Sequence, residues 1–232
     1  MSPLFEILDV QDTRLGELCL RRRELVSRPG IIVTEVTLDH GFLMSSYHTE
    51  SERRLAEVAL EMHEGEGLSV LVGGLGLGFT AQAALGSSRV ARVEVVELLE
   101  PVIGWLEKGW LPTGEALTAD SRLEITQGDV YARLLGPAQQ PFDLILIDVD
   151  HAPEEPLETG SAPFYTPSGL QAVAQHLGPA GVLAVWSTDP SPAFEESLRS
   201  VFGHVEIEIV RWWNDLIDVD KEDTLFTARL KK

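Results

Sequence analysis

The sequence predicts an α/β fold: a doubly wound, mostly parallel seven-stranded sheet ending in an antiparallel hairpin, plus a small N-terminal antiparallel β unit. Three observations predict it. From Leu68 onward strand-like and helix-like segments alternate, the pattern of parallel strands joined by crossover helices. The last two strand-like segments have no helix between them, so they must pair antiparallel at the sheet edge. Residues 5–46 show only short alternating runs broken by turn signals, as a small β unit does.

Each element follows from its local pattern. Glu17–Arg21 and Ile31–Val36 read as strands, with Arg28-Pro29-Gly30 as the turn between them. From Glu50 to Met62, Leu55, Val58, Ala59 and Met62 recur at helical spacing, with Thr49 or Ser51 as the cap. Strand Ser69–Val72 runs into a glycine cluster and a helix at Thr80–Leu85, and strand Arg92–Val96 into a helix at Pro101–Trp110. Leu123–Thr126 precedes Tyr131–Leu135, and Phe142–Ile147 precedes a long loop and a helix at Leu170–Leu177. Gly181–Trp186 leads to a helix opening at Pro192; Val205–Val210 and Thr224–Leu230 form the hairpin, joined through 212–223. The break at Gly65-Glu66-Gly67 divides the chain into residues 1–64, the β unit with its linking helix, and a domain over 65–232.

Composition narrows the function. A single cysteine, Cys19, allows no internal disulfide, and the first ten residues lack the basic start of a secretory signal, so a cytoplasmic location is expected. No apolar run approaches the roughly 20 residues that cross a bilayer. Eighteen basic against 37 acidic residues give a net charge of −19, which repels nucleic-acid phosphates and anionic lipid and attracts cations. Neither nucleic acid nor a membrane is expected as a partner, and the charge can equally serve solubility alone.

The strongest local signal is Val70-Leu71-Val72-Gly73-Gly74-Leu75-Gly76-Leu77-Gly78-Phe79-Thr80, an apolar strand that enters a helix through glycines. Glycines permit positive φ and close approach of a ligand, and the helix start offers free N–H groups. A pyrophosphate fingerprint would need glycine where Phe79 stands, and no G-x-x-x-x-G-K-[ST] is present. Gly74, Gly76 and Gly78 are instead similar to the G-x-G-x-G loop of S-adenosylmethionine-binding folds; a tight packing turn is the other reading. Glu97 ends the next strand about 20 residues on, where a carboxylate can accept from both ribose hydroxyls; Glu100 lies beyond that strand. Asp129, with Val130 beside it, either accepts from an adenine amino group or only caps the following helix. Asp148 and Asp150 follow the fourth strand, at the carboxyl ends where ligands of parallel sheets bind. His151 adjoins them, but no further histidine or cysteine stands at ligand spacing, so no metal is assigned. Trp212 and Trp213 read as an acceptor wall or a packing lid, and Arg21-Arg22-Arg23 as an anion site or an edge-protecting face. Cys19 reads as packing; His48 and His63 have no assigned partner.

In this order the motifs resemble the spermidine synthase family, aminopropyltransferases of the Rossmann-like class I S-adenosylmethionine-dependent methyltransferase superfamily, over about Glu50–Leu230. Val70–Thr80 matches the family's strand and loop, Gln127-Gly128-Asp129 its G-D, Asp143–Asp148 its strand ending in the catalytic Asp, and Pro163-Phe164-Tyr165 its F-Y-opened helix. The resemblance implies an enzyme with S-adenosylmethionine or its decarboxylated form as cofactor, Asp148 as catalytic base or donor-orienting group, and Asp150, His151 and Tyr165 at the substrate. It also implies a homodimer. The family's loop acid falls on Leu77, its second D-x-x-D acid on His151, and its Tyr-His pair near Ser51-Glu52, with Tyr47-His48 four residues early. Leu77 ranks methyl-type transfer to a small acceptor, which can be cationic, ahead of aminopropyl transfer; a non-catalytic nucleoside-binding module is the third reading.

Overall fold

The computed structural model describes residues 4–155, 157 and 160–230; residues 1–3 and 231–232, at the ends of the two units expected from sequence, lie outside them. Strands β1 (Phe5–Thr13), β2 (Gly16–Glu24), β3 (Ile32–Leu38) and β4 (Gly41–Ser45) form an antiparallel sheet in that order. Helix α1 (Glu50–Met62) leads to β5 (Leu68–Gly73), α2 (Phe79–Leu85), β6 (Val90–Glu97), α3 (Glu100–Glu107), α4 (Gly114–Ala119), β7 (Leu123–Gln127), α5 (Val130–Leu135) and β8 (Phe142–Ile147). A 3-10 turn (Ala162–Tyr165), α6 (Pro167–Ala174), β9 (Leu177–Ser187), α7 (Pro192–Val201), β10 (His204–Asn214) and β11 (Val219–Arg229) complete the chain. The large sheet runs β10-β11-β9-β8-β5-β6-β7. Its five central and far strands are parallel, while β11 is antiparallel to both β9 and β10.

Strand order reverses between β5 and β8, and ligands of such sheets bind at the carboxyl ends beside that switch. Both strands are buried on both faces. Val70, Val72, Leu144 and Leu146 pack with Leu55 and Ala59 of α1 on one side, whereas Leu71, Ile145 and Ile147 meet Phe164, Leu170 and Phe194 on the other. Each such side chain contributes about 1.5–3 kcal/mol by leaving water. The inner face of the small sheet, Leu18, Leu20 and Val36, belongs to the first of these clusters. Trp105 Nε1–H donates to Asp9 Oδ2 at 2.8 Å, and Arg22 donates to the Trp110 carbonyl at 2.9 Å. These bonds tie the small sheet to α3 and the segment after it.

Four features depart from the sequence expectation. β1 and β4 join the two strands expected in the N-terminal unit. α4 occupies the stretch before β7. The sixth helix begins at Pro167, where Thr166 accepts from Gly169 N–H as cap, and Leu177 already opens β9. The hairpin strands run to Asn214 and from Val219, so the connection is residues 215–218 instead of 212–223. Among the described residues no helix is long and apolar enough to cross a membrane.

Candidate functional site

The glycine turn leaves β5 with Gly74, Gly76 and Gly78 at φ of +88°, +52° and +89°, a region that disfavours side chains. A Cβ at Gly74 would lie 2.5 Å from the Asp148 carbonyl oxygen, and one at Gly78 only 2.3 Å from Thr113 Oγ1. Close packing therefore requires glycine at both ends of the turn. Gly76 differs: its Cβ would meet only the flexible Met44 thioether, at 3.2 Å. Gly74 and Gly76 border an open cavity of about 870 Å³, mouth included, while Gly78 does not reach it. Leu18, Val36, Leu43 and Met44 of the small sheet supply the apolar roof.

Glu97 closes the end of β6 and faces the same cavity. Its Oε2 accepts the Leu75 N–H and its Oε1 the Leu99 N–H, each at 2.8 Å. Burial pushes its carboxyl up despite these bonds. A carboxylate oxygen has a second lone pair, so both remain able to accept from a ligand. Glu100 is exposed on the first turn of α3 and does not line the cavity. Asp129 caps α5 through Oδ1, accepting from Tyr131 N (2.9 Å) and Ala132 N (3.1 Å), and it lines the cavity with Val130. Capping and facing the ligand space are thus compatible.

Asp148 and Asp150 sit at the carboxyl end of β8 and line the cavity. Asp148 Oδ2 accepts the Thr80 hydroxyl at 2.6 Å. Buried Asp150 accepts from Leu157 N–H and from Tyr165 O–H, both at 2.8 Å, and Tyr165 meets the Tyr131 hydroxyl at 3.0 Å. Burial first, then the neighbouring Tyr165 and Asp150, holds the Tyr131 phenol well above its usual range. Tyr165 itself stands behind Asp150 among Phe164 and Phe194, without lining the cavity. The His151 side chain does not line it either; the His151 carbonyl accepts from Thr188 N–H at 2.8 Å and Thr188 O–H at 3.0 Å. Leu77 is buried in the core, and its carbonyl accepts the Thr113 hydroxyl.

Sequence reasoning missed the group beside Asp148. Glu52 of α1 and Asp223 of β11 bring two more carboxylates within electrostatic reach of it. Burial, then the Asp148 charge, pushes Glu52 up to about 8. Burial likewise raises Asp148 to about 6, with Asp223 adding to the rise and Thr80 opposing it. Asp223 is raised by burial, although Ser51, Trp212 and Lys221 oppose this. Trp212 Nε1–H donates to Asp223 Oδ2 at 3.2 Å, and its ring stacks on His48 at 4.3 Å. The only sequence signal was the shifted Tyr-His position at Ser51-Glu52. Among the described residues no three histidine, cysteine or acidic side chains are grouped so as to hold a metal ion.

The spermidine synthase from Thermotoga maritima superposes with a TM-score of 0.75 at 17% identity, over 97% of this chain and 72% of that one. A spermidine synthase in complex with the transition state analogue AdoDATO gives 0.76 at 18% identity, over 97% and 74%. The chain has the spermidine synthase fold. The eEF1A lysine and N-terminal methyltransferase of Danio rerio is 33% identical over 119 residues, 49% of this chain. Those residues are 16% of that relative, so the chain spans less than a fifth of its length. No protein-family model matches the chain.

The raised acids make stability depend on pH within this fold. Glu52 binds its proton more tightly folded, at about 8, than at the ordinary 4.5. The native state therefore holds more protons than the unfolded chain between those values, and stability falls as pH rises through them. Glu52→Gln removes a charge that burial disfavours. Thermal melts from pH 5 to 8 should show a flatter decline for the variant and a higher melting temperature at pH 8; an unchanged slope would remove Glu52 as its source.

Proposed function

We propose that the protein transfers a group from an S-adenosyl sulfonium donor to the amine of a small cationic acceptor. One observation carries the reading: a cavity runs between the glycine turn and Glu97 on one side and Asp148 on the other, and Glu52 and Asp223, which do not line it, act electrostatically with Asp148; we read the space among these three acids as the acceptor chamber. Buried acids are costly unless a cation compensates them; Lys221 offsets part of that cost at Asp223 alone, and a cationic acceptor would relieve the rest. In the reading, Gly74 and Gly76 present backbone to the donor, Gly78 shapes the turn, Glu97 takes the ribose hydroxyls, and Asp129 and Val130 flank the adenine. Asp150, braced by Tyr165, holds the wall. His151 ties that wall to Thr188 and touches no substrate.

The sulfonium supplies an already activated carbon, so the chain mainly positions the partners and excludes water. The amine lone pair forms the new N–C bond, the S–C electron pair leaves on sulfur, and Asp148 takes the amine proton. Methyl transfer is the leading form: buried Leu77 stands where the family carries a loop acid, and the Danio rerio relative is named a methyltransferase. Aminopropyl transfer has its own support, because among the described residues the cavity walls carry Glu97, Asp129, Asp148 and Asp150 and no basic side chain. Such walls disfavour a donor that keeps its carboxylate.

Calorimetry with S-adenosylmethionine, its decarboxylated form and methylthioadenosine tests the reading. Preference for the intact donor supports methyl transfer, and preference for the decarboxylated one aminopropyl transfer. Nucleoside binding without turnover of any amine would leave a binding module, and no binding at all overturns the proposal. A homodimer belongs to the same proposal. Exposed Phe5, Ile7 and Phe42 on the small sheet support a covered face, and light scattering on those samples should give twice the chain mass.

A further inference from the structure

β11 pairs with β9 only from Thr224 to Arg229, whereas its pairing with β10 continues to Asn214 opposite Val219. Residues 210–214 and 219–223 therefore project from the sheet as a two-stranded ribbon. A lone ribbon of this kind is marginally stable in water. It nevertheless carries Trp212 and Asp223, which share one face because Trp212 lies opposite Lys221 and Val210 opposite Asp223. Something must hold the free end in place.

The tip residue Asp215 gathers three groups from the N-terminal part of the chain. It pairs with Arg28 from the β2–β3 turn and accepts the Tyr47 hydroxyl at 3.0 Å. Its other oxygen lies 3.7 Å from His48 Nε2, and the His48 ring stacks on Trp212 with planes 28° apart. An exposed ion pair alone contributes little. Asp215, however, is only 17% exposed, bonds both Arg28 and the Tyr47 hydroxyl and lies close to His48, so it acts as a single anchor between units that the core joins elsewhere.

We propose that Asp215 is a positioning residue: by fastening the ribbon to the N-terminal unit it holds Trp212 and Asp223 as the outer wall of the acceptor chamber beside Asp148. This rests on the reading of that chamber as an amine site. Asp215 touches no reacting atom and acts through His48 and Trp212.

The test combines amide hydrogen exchange with calorimetry, using 1,4-diaminobutane as acceptor probe on protein saturated with methylthioadenosine. In Asp215→Ala, exchange at 210–214 and 219–223 should rise about tenfold or more, while the 224–229 stretch paired to β9 stays protected. Diamine affinity should fall about tenfold and methylthioadenosine affinity should hold within about twofold. Arg28→Ala should move both readouts the same way, and Asp215→Glu should restore part of each. Unchanged ribbon exchange in Asp215→Ala overturns the anchor whatever the diamine does. Faster exchange with unchanged diamine affinity overturns its role in the chamber. Wild-type protein that binds methylthioadenosine and no diamine overturns the amine reading, and the acceptor role of Asp215 with it.

Discussion

Asp148→Asn should lower transfer by about 10²–10⁴-fold, the range a positioned general base commands, while donor affinity stays within about twofold. The asparagine has the same shape, and its amide oxygen can still accept the Thr80 hydroxyl that now sits 2.6 Å from Oδ2. The main-chain bond from Asp148 N–H to the Gly73 carbonyl is untouched. What disappears is the basic carboxylate of a side chain that lines the cavity. With Asp148 raised to about 6, wild-type turnover should climb with pH through that value, because only the ionised form accepts the amine proton. The residual activity of the variant should lose that limb. Pre-steady-state turnover and donor calorimetry on one preparation separate the two readings of this residue. If Asp148 merely orients the donor, asparagine weakens donor binding and spares the pH profile.

The sequence was most legible where burial is complete. Phe142–Ile147 and Glu50–Met62 have the boundaries their patterns indicate, because a doubly buried strand and a one-faced helix each leave a clean apolar signature. β1 was hidden for the opposite reason. Its outward Phe5, Ile7 and Val10 stay exposed, its edge carries acids, and an irregularity between Ile7 and Asp9 breaks the period of two. The ribbon from Trp212 to Asp223 read as a connection because Asp215, Asp218 and Asp220 are turn-like residues, and its anchor is tertiary. The pairing of the glycine turn with Glu97 could be read locally, since both lie within one βαβ unit. The group Glu52, Asp148 and Asp223 could not: its members come from α1, β8 and β11, and only the folded sheet assembles them.

Glu97→Gln should weaken methylthioadenosine binding by about 100-fold, as expected from losing charge-assisted bonds worth roughly 1.5–3 kcal/mol. The side chain has two tasks, and the experiment must separate them. Its oxygens accept the N–H groups of Leu75 and Leu99, so they brace the glycine turn even without ligand. Glutamine keeps one acceptor and turns an NH₂ toward one of those donors, leaving a buried N–H unpaired at a cost of about 1–3 kcal/mol. A lower melting temperature is therefore expected and says nothing about ribose. The sugar contact shows itself in a cycle with the 2′-deoxy analogue. Wild-type protein should bind the analogue about tenfold less tightly than methylthioadenosine, whereas Glu97→Gln should barely distinguish the two. If the variant discriminates as well as the wild type, Glu97 braces the turn and another group holds the sugar. Vanishing discrimination, by contrast, would put the ribose against the one buried carboxylate that the glycine turn itself is built around.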